Sequence, residues 1–117
     1  MTEVIEPAIE TVTIDAVLSA LADPVRLTLV RALDTAGDWT CGSDILKDTG
    51  VTIGKSTLSH HIKVLRAAGL IRTRVDGIRR LVTLRHGDVE QRFPGLLAML
   101  RRDRSASTAA QAPVPPA

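Results

Sequence analysis

The sequence contains a single cysteine, Cys41, and no uninterrupted run of about 18 apolar residues. A lone cysteine cannot form an intrachain disulfide, and it cannot by itself hold a structural zinc ion. The missing apolar run excludes a membrane-spanning helix, and the first residues, MTEVIEPAIE, carry acids where a signal peptide needs a basic and then an apolar stretch. We therefore expect a cytoplasmic protein without membrane contact.

Acidic residues are almost missing from the middle of the chain. Residues 49–87 hold eight bases and only Asp76, whereas residues 1–48 hold nine acids and three bases. The overall net charge of +2 is modest, so the distribution is more informative than the total. A basic middle segment indicates a face turned toward a polyanion, and the alternative is a solvated charged surface. At 117 residues, 44% of them hydrophobic, the chain has room for one domain.

The sequence offers no enzyme site. It contains no carboxylate pair, no nucleophile with a nearby base and no Gly-rich cofactor loop. The segment Gly50–Ser56 superficially resembles a phosphate-binding P-loop, but three residues separate its glycines where that motif needs four. We expect neither catalysis nor a cofactor.

Two helices are predicted near the N-terminus, after a loosely ordered arm over residues 1–12. Ile14, Val17, Leu18 and Leu21 form one apolar stripe, which predicts a helix over residues 13–22. Asp23-Pro24 is an N-cap followed by proline at the first helical position, so a second helix starts there and ends at Gly37.

The central segment predicts a helix-turn-helix. A very short strand is expected over residues 39–41, a short helix over 43–49 and a turn over 50–54. The next helix begins near Lys55 and ends at Gly69, with Leu58, Ile62 and Leu65 facing inward. Its position after a turn makes it the recognition helix.

A β-hairpin and a last helix complete the predicted domain, residues 13–104. Residues 71–75 and 78–84 alternate and are rich in β-branched side chains, and Asp76-Gly77 between them favours a type I′ turn. Asp88 with Gln91 resembles a capping box that opens the last helix. Residues 105–117 are rich in Ala and Pro and predict a disordered tail. The fold class is therefore mainly α with a small β-hairpin wing, a winged helix-turn-helix of about five helices.

The recognition helix presents an outward face without a single acid. Such hydroxyl, imidazole and cationic groups donate hydrogen bonds to base edges and phosphates in a DNA major groove. One of Ser56 and Thr57 is also expected to cap the helix. The predicted DNA contacts on this helix are Lys55, Ser56, Thr57, Ser59, His60, Lys63 and Arg66.

Four arginines of the hairpin extend the predicted DNA-binding surface: Arg72, Arg74, Arg79 and Arg80. Arginine suits phosphates and the minor groove. Because side chains alternate along a strand, we expect half of them to contact DNA. The pair His60-His61 does not predict a metal site, since adjacent helical residues point about 100° apart. His61 is expected beside the apolar stripe, hydrogen-bonded to backbone or phosphate.

The sequence resembles the ArsR-type family of bacterial winged-helix repressors. The residues that carry the resemblance are ALADPVRLTLVRAL (20–33), CGSDIL (41–46), KSTLSHHIKVLRAAGLI (55–71) and the Asp-Gly hairpin. The resemblance implies a homodimeric repressor that binds double-stranded DNA at an inverted-repeat operator and is released by an inducer, here unidentified. It also implies a dimer interface on the first and last helices, whose stripes are Ile14, Val17, Leu18, Leu21, Phe93, Leu96, Leu97 and Leu100.

The chain departs from the family in its sensing residues. Metal-responsive members carry a Cys-x-Cys-Asp box, and here Ser43 replaces the second cysteine in Cys41-Gly-Ser-Asp44. The last helix lacks the histidine of the other family site, and His86 lies before it. We expect no metal, and a small buried Cys41. The alternatives are a metal or redox response through Cys41, and a winged helix that binds protein rather than DNA.

Overall fold

The computed structural model describes the backbone of residues 2–3 and 6–110, and the side chains of residues 6–103. Five α-helices and a small antiparallel sheet of order β1-β3-β4-β2 form one winged helix-turn-helix unit, which confirms the predicted fold class. The elements are β1 (Thr2–Glu3), a 3-10 turn (Ile9–Thr11), α1 (Ile14–Leu21), α2 (Pro24–Ala36), β2 (Thr40–Cys41), a 3-10 turn (Gly42–Asp44), α3 (Lys55–Ala67), β3 (Ile71–Asp76), β4 (Arg79–Leu84), α4 (His86–Arg92) and α5 (Leu96–Ala110).

The first two helices begin and end where the sequence predicts. Asp23 caps α2, because its Oδ1 accepts hydrogen bonds from the amides of Val25 (2.8 Å) and Arg26 (3.1 Å). These bonds, that of Arg26 first, lower the pKa of the Asp23 carboxyl. Gly37 ends α2 with φ +72°, a conformation that glycine adopts without steric cost.

The prediction of a helix over residues 43–49 is wrong. The segment is a 3-10 turn over Gly42–Asp44 followed by further turns, with the amide of Lys47 bonded to the carbonyl of Asp44 and that of Thr49 to Leu46. Both bonds span three residues, as in a 3-10 turn. Asp48 has φ +68°, which an α-helix cannot accommodate.

The single last helix predicted from Asp88 is two helices. Phe93 has φ −130° and ψ 72°, because the ring of Pro94 excludes the helical conformation for the preceding residue, and Gly95 has φ +90°. Asp88 lies inside α4 and does not form a capping box. The helix α5 continues through Ala110, so residues 105–110 of the predicted disordered tail are helical, and the rest of that prediction, residues 111–117, lies outside the described residues.

The core lies between α1, α2, α3 and one face of the sheet. Leu29, Leu33, Leu65, Leu70 and Ile71 are fully buried there. The buried members of the terminal stripes join the same core: Val17, Leu21, Leu96 and Leu97. These four side chains stabilise the protomer itself.

The predicted loose arm is attached to the domain over the part whose side chains are described. Glu6 Oε1 accepts a hydrogen bond from the amide of Thr73 (2.9 Å), and the carbonyl of Pro7 accepts one from Arg85 Nη1 (2.8 Å). Val12 is 4% exposed and belongs to the core. The expectation of loose order is therefore wrong for residues 6–12.

Candidate nucleic-acid interface

The helix α3 is held by its inner face. Leu65 is fully buried, and Leu58 and Ile62 are half-buried against the core, which confirms the predicted inward stripe. The turn after α3 is fixed by Gly69, which has φ +85° and packs so closely on Val12 that an added Cβ would overlap that side chain. These contacts set the helix at a fixed angle on the domain surface.

The opposite face of α3 is open to solvent and contains no acid. Six of the predicted contacts are exposed: Lys55, Ser56, Thr57, Ser59, His60 and Lys63. Arg66 is half-buried, because its Nη1 donates to Thr73 Oγ1 on β3 (3.2 Å). The structure therefore brings the predicted hydroxyl, imidazole and ammonium groups together on one surface.

The N-terminus of α3 has no side-chain cap. Gly54 is the N-cap residue, so neither Ser56 nor Thr57 caps the helix, contrary to expectation. The first amides of an α-helix have no intrahelical acceptor, and they carry the positive end of the helix dipole. Together with Lys55 they form a surface suited to a phosphate.

The two histidines of α3 differ in environment. His60 is exposed, whereas His61 is 8% exposed and its Nδ1 lies 3.3 Å from Arg26 Nη1. A guanidinium only donates, so Nδ1 is the acceptor and the ring proton is assigned to Nε2. Within the described residues the partner of His61 is thus the side chain of Arg26 rather than backbone, and the Nε of Arg26 also donates to the carbonyl of Ala20 (2.8 Å).

The turn at the tip of the wing is not the predicted type I′ turn on Asp76-Gly77. Asp76 pairs with Arg79, so the loop consists of Gly77 and Ile78. Among these residues only Gly77 has a positive φ, +63°. Glycine with positive φ at the first loop position is the pattern of a type II′ turn. Ile78 is fully exposed at the tip.

The strand register sends the wing arginines to different faces. Residues that pair across antiparallel strands share a face, and neighbours along a strand alternate. Arg80 pairs with Val75 and lies on the face that packs on α3. The pairs Arg74–Leu81, Asp76–Arg79 and Arg72–Thr83 place the other three arginines on the opposite face.

Arg72 is bound by carboxylates at the base of the wing. Its Nη2 lies 2.9 Å from Asp88 Oδ2, and its Nε lies 3.8 Å from Glu6 Oε2. The buried guanidinium of Arg85 binds the same Asp88 oxygen through Nε (3.0 Å). This cluster joins the wing to α4 and to the N-terminal segment.

Arg74 also has a partner within the protein. Its guanidinium carbon lies 4.2 Å from the centre of the Trp39 ring, a distance at which a cation–π contact is favourable. Arg74 is half-buried by this contact, whereas Arg79 and Arg80 are exposed near the tip. Arg72 at the base of the wing is exposed as well but is paired with Asp88, so the exposed wing cations without a carboxylate partner among the described ion pairs are Arg79 and Arg80.

Cys41 is partly exposed, so the expected small buried residue is wrong. Its Sγ lies 3.2 Å from Ser43 Oγ. Hydrogen bonds from the side chain and then the backbone of Ser43, with a further one from Arg79, lower the pKa of the thiol. A lower pKa gives a larger thiolate fraction at neutral pH, and the thiolate is the reactive form.

Metal ligands do not cluster within the described residues. No group of three or more His, Cys, Asp or Glu side chains is placed to hold an ion among them. His86 Nε2 lies 3.1 Å from Asp34 Oδ1, and Arg101 binds both oxygens of that carboxylate at 2.7 and 2.8 Å.

Among the described helices, none is both long and apolar enough to cross a bilayer.

The predicted dimer residues separate into two groups. Val17, Leu21, Leu96 and Leu97 face the core of the protomer, and Phe93 and Leu100 are partly buried against it. Ile14 and Leu18 on α1 are 47% and 49% exposed. Met99 on α5, which the sequence analysis did not include, is 52% exposed. Among the side chains that the structure describes, the large apolar ones exposed on the terminal helices are therefore Ile14, Leu18 and Met99.

Comparison with known proteins places this architecture among transcription regulators. A helix-turn-helix domain model matches residues 21–74, which run from the end of α1 into β3. An uncharacterized HTH-type transcriptional regulator, YceK of Bacillus subtilis (strain 168), is 38% identical over 85 residues, 72% of this chain and 82% of YceK.

Solved structures give the same assignment. The transcriptional repressor BigR from Xylella fastidiosa is 28% identical with a TM-score of 0.56, and the match covers 74% of this chain and 84% of BigR. A possible transcriptional regulator for arsenical resistance is 25% identical with a TM-score of 0.57, over 87% of this chain and all of that one. The chain belongs to the ArsR-type family of winged helix-turn-helix regulators. Like other ArsR-type proteins, it is a DNA-binding regulator of transcription.

Several residues that shape the interface of this ArsR-type regulator were not predicted from the sequence. Arg26 holds α3 through His61, Trp39 covers Arg74, and Arg85 anchors the wing. Arg26 lies within the ADPVRL motif, so its position was visible in the resemblance, although its partner was not. Trp39 gave no signal, because its partner Arg74 lies on another strand. Arg85 binds both the nearby Asp88 and the carbonyl of Pro7 in the N-terminal segment, and the second of these contacts is not visible in the local sequence.

Proposed function

We propose that this ArsR-type regulator is a homodimeric repressor that binds an inverted-repeat operator without a metal cofactor. The observation that carries the proposal is the exposed, acid-free face of α3, along which the side chains carry hydrogen-bond donors. An α-helix fits the B-DNA major groove, where side-chain donors and acceptors distinguish base pairs.

The residues of α3 take different roles in the proposed complex. Thr57 and His60, exposed in the first turns, contact base edges. Lys55 and the uncapped amides beside it bind a phosphate, and Lys63 and Arg66 bind the backbone on the wing side. Ser56 and Ser59 donate to phosphate or base.

In the proposed complex the wing contacts DNA with residues near its tip, not with those at its base. Arg79 and Arg80 are exposed near the tip, so their guanidinium groups are within reach of the DNA backbone beside the recognition helix, where a phosphate would replace the Cys41 thiol as the partner of Arg79. Arg72 and Arg74 are occupied by Asp88 and Trp39 and are not part of the proposed contact set.

In the proposed dimer, the exposed apolar side chains of the terminal helices contact a second copy of the chain. Ile14, Leu18 and Met99 are large apolar side chains that remain about half-exposed in the protomer. A two-fold axis through this surface would bury it in both copies and place two α3 helices on successive half-sites of an inverted repeat. The similarity to BigR, a transcriptional repressor, supports repression as the outcome.

Fluorescence anisotropy with the DNA upstream of the chain's own gene tests the proposal. We expect binding that weakens steeply between two salt concentrations, because each neutralised phosphate contributes about −0.9 to the slope of log K against log salt. Sedimentation of the protein alone should give a dimer. Equal binding to the upstream fragment and to a scrambled duplex would contradict a specific operator, and binding to neither would favour the protein-interaction alternative.

A second candidate function is a repressor that responds to a thiophilic metal or an oxidant through Cys41. The observation that favours it is the lowered pKa of this partly exposed thiol. Titration of operator-bound protein with arsenite, Zn²⁺ and hydrogen peroxide separates the two candidates. Release by any of them in the wild type, but not in Cys41→Ser, would establish the second candidate.

A further inference from the structure

A cavity of about 330 Å³ lies between α3 and the wing. Its size is at the lower end of the roughly 300–1,000 Å³ found for small-molecule sites. Ser59, Ile62, Lys63 and Arg66 line it from α3, and β3 and β4 form the opposite wall. Arg66 and Thr73, which are joined by a hydrogen bond of 3.2 Å, both line the cavity.

The charges around this cavity have one sign. Lys63 and Arg66 come from α3, and Arg80 comes from the face of β4 that packs on α3. Arg74 of β3 also lines the cavity, although its guanidinium stacks on Trp39. None of the described lining residues is acidic. Lys63 and Arg80 are exposed and have no carboxylate partner among the described ion pairs, so an anion at the mouth would meet cations from both walls.

The interior of the cavity is apolar. Ile62, Val75 and Val82 supply branched aliphatic side chains, and Val82 is 1% exposed at the floor. Inorganic phosphate would gain nothing from these walls, whereas an aromatic or branched aliphatic body would remove apolar surface from water at about 25 cal/mol per Å². An apolar pocket with a few convergent polar groups is the usual form of a small-molecule site.

We propose that this cavity binds a small organic acid, a carboxylate on a compact apolar body, and that the bound acid excludes DNA. The carboxylate would lie between Lys63 and Arg80, and the apolar body would lie against Ile62, Val75 and Val82. Binding of the acid does not depend on the proposed function, but the exclusion of DNA does, because Lys63 and Arg80 are also proposed phosphate contacts. Occupation by an acid and by DNA would then be mutually exclusive.

Calorimetric titration of the full chain without DNA tests the site directly. Benzoate is the probe, benzamide is its neutral isostere and inorganic phosphate is the anion without an apolar body. We expect benzoate to bind at least tenfold more tightly than either. Arg80→Met should weaken benzoate at least tenfold, because it removes a cation from the mouth. Lys47→Met removes a cation that does not line the cavity, and it should leave the benzoate affinity unchanged.

A filling variant separates ligand binding from DNA binding. Val75→Phe keeps a residue suited to a strand and places a ring at the partly exposed edge of the cavity. It should reduce benzoate affinity at least tenfold and retain affinity for the upstream DNA. In the wild type, saturating benzoate should weaken that DNA binding at least tenfold, with no such effect in Val75→Phe.

Three outcomes would overturn the inference. Benzoate that does not bind, or that binds no better than benzamide, excludes an acid site. Phosphate that binds as tightly as benzoate shows an anion cluster for the DNA backbone and nothing more. Benzoate that binds together with DNA excludes the competitive role. The DNA affinity of the wild type is measured separately from benzoate binding. A cavity that binds no acid can therefore be distinguished from a protein that does not bind DNA.

Discussion

Nη1 of Arg26 lies 3.3 Å from Nδ1 of His61, and this contact joins the N-terminus of α2 to the recognition helix. The same guanidinium donates through Nε to the carbonyl of Ala20 at the end of α1. One side chain thus connects three helices at a point beneath the DNA-binding face. The orientation of α3 depends on a contact between two family motifs that lie 35 residues apart.

Arg26→Met should destabilise the fold by about 1–3 kcal/mol, because it leaves the His61 nitrogen and the Ala20 carbonyl without their donor. Urea unfolding followed by the fluorescence of Trp39 measures this at a fixed protein concentration. Lys47→Met, which removes a cation from an exposed ion pair, should change the free energy of unfolding by less than about 0.5 kcal/mol. Equal effects of the two variants would show that the Arg26 contact is incidental.

Gly69→Ala should cost about 2 kcal/mol or more, because it combines a left-handed backbone with overlap against Val12. Gly37→Ala is the matched control, since Gly37 has φ +72° and no atom within 4 Å of an added Cβ. The control should show only the backbone cost, roughly 1–2 kcal/mol. Thermal and urea unfolding of both variants measure the difference, and its absence would mean that Val12 moves aside.

Asp34 should stabilise the fold at neutral pH and lose this effect in acid. Hydrogen bonding to Arg101 first, and then to His86, lowers the pKa of its carboxyl in the folded state. A lowered folded pKa contributes stability that is present above the unfolded value of about 3.9 and is lost as the pH falls through the folded value. Asp34→Asn should therefore cost on the order of 1 kcal/mol at pH 7, a difference that vanishes at low pH. A difference independent of pH would exclude the charged contact.

Lys63→Ala and Arg79→Ala should weaken binding to all DNA sequences and reduce the salt slope by about 0.9 for each lost phosphate contact. Thr57→Ala and His60→Ala should instead relax discrimination at one base position by about 1–3 kcal/mol. Lys47→Ala, outside α3 and the wing, serves as the control. Anisotropy titrations against operator variants at two salt concentrations separate the two classes, and sequence-independent losses at Thr57 and His60 would contradict base reading.

Cys41 should react with iodoacetamide at pH 7 faster than an unstructured cysteine peptide, because its thiol pKa is lowered. Ser43→Ala removes the first cause of that shift and should slow the reaction several-fold, whereas Ser19→Ala on α1 should not. Mass spectrometry follows the rate. Cys41→Ser should leave operator binding and its response to an inducer intact, and a lost response would transfer the sensing role to this thiol.

Local signals were sufficient for the helices that build the domain. Asp23-Pro24 and Gly37 bound α2, and the spacing of Leu58, Ile62 and Leu65 identifies the inner face of α3. Such signals act within one or two turns of backbone, so they are readable along the chain. They failed at Asp48, whose positive φ lies in a turn where a helix was predicted, and at Phe93, where the following proline ends a helix that the apolar pattern alone would continue.

The sequence by itself determined the fold class, the acid-free face of α3 and the basic character of the wing, because these follow from residue type and period. Only the tertiary structure decided which arginines are free. The register that starts at Gly77-Ile78 places Arg80 beside α3 and the other three arginines on the opposite face. There Asp88 pairs with Arg72, Trp39 stacks on Arg74, and the Cys41 thiol bonds to Arg79. The tertiary structure also decided that Val17 and Leu97 pack in the core. Strand register and partner choice depend on contacts between distant segments, which no local pattern encodes.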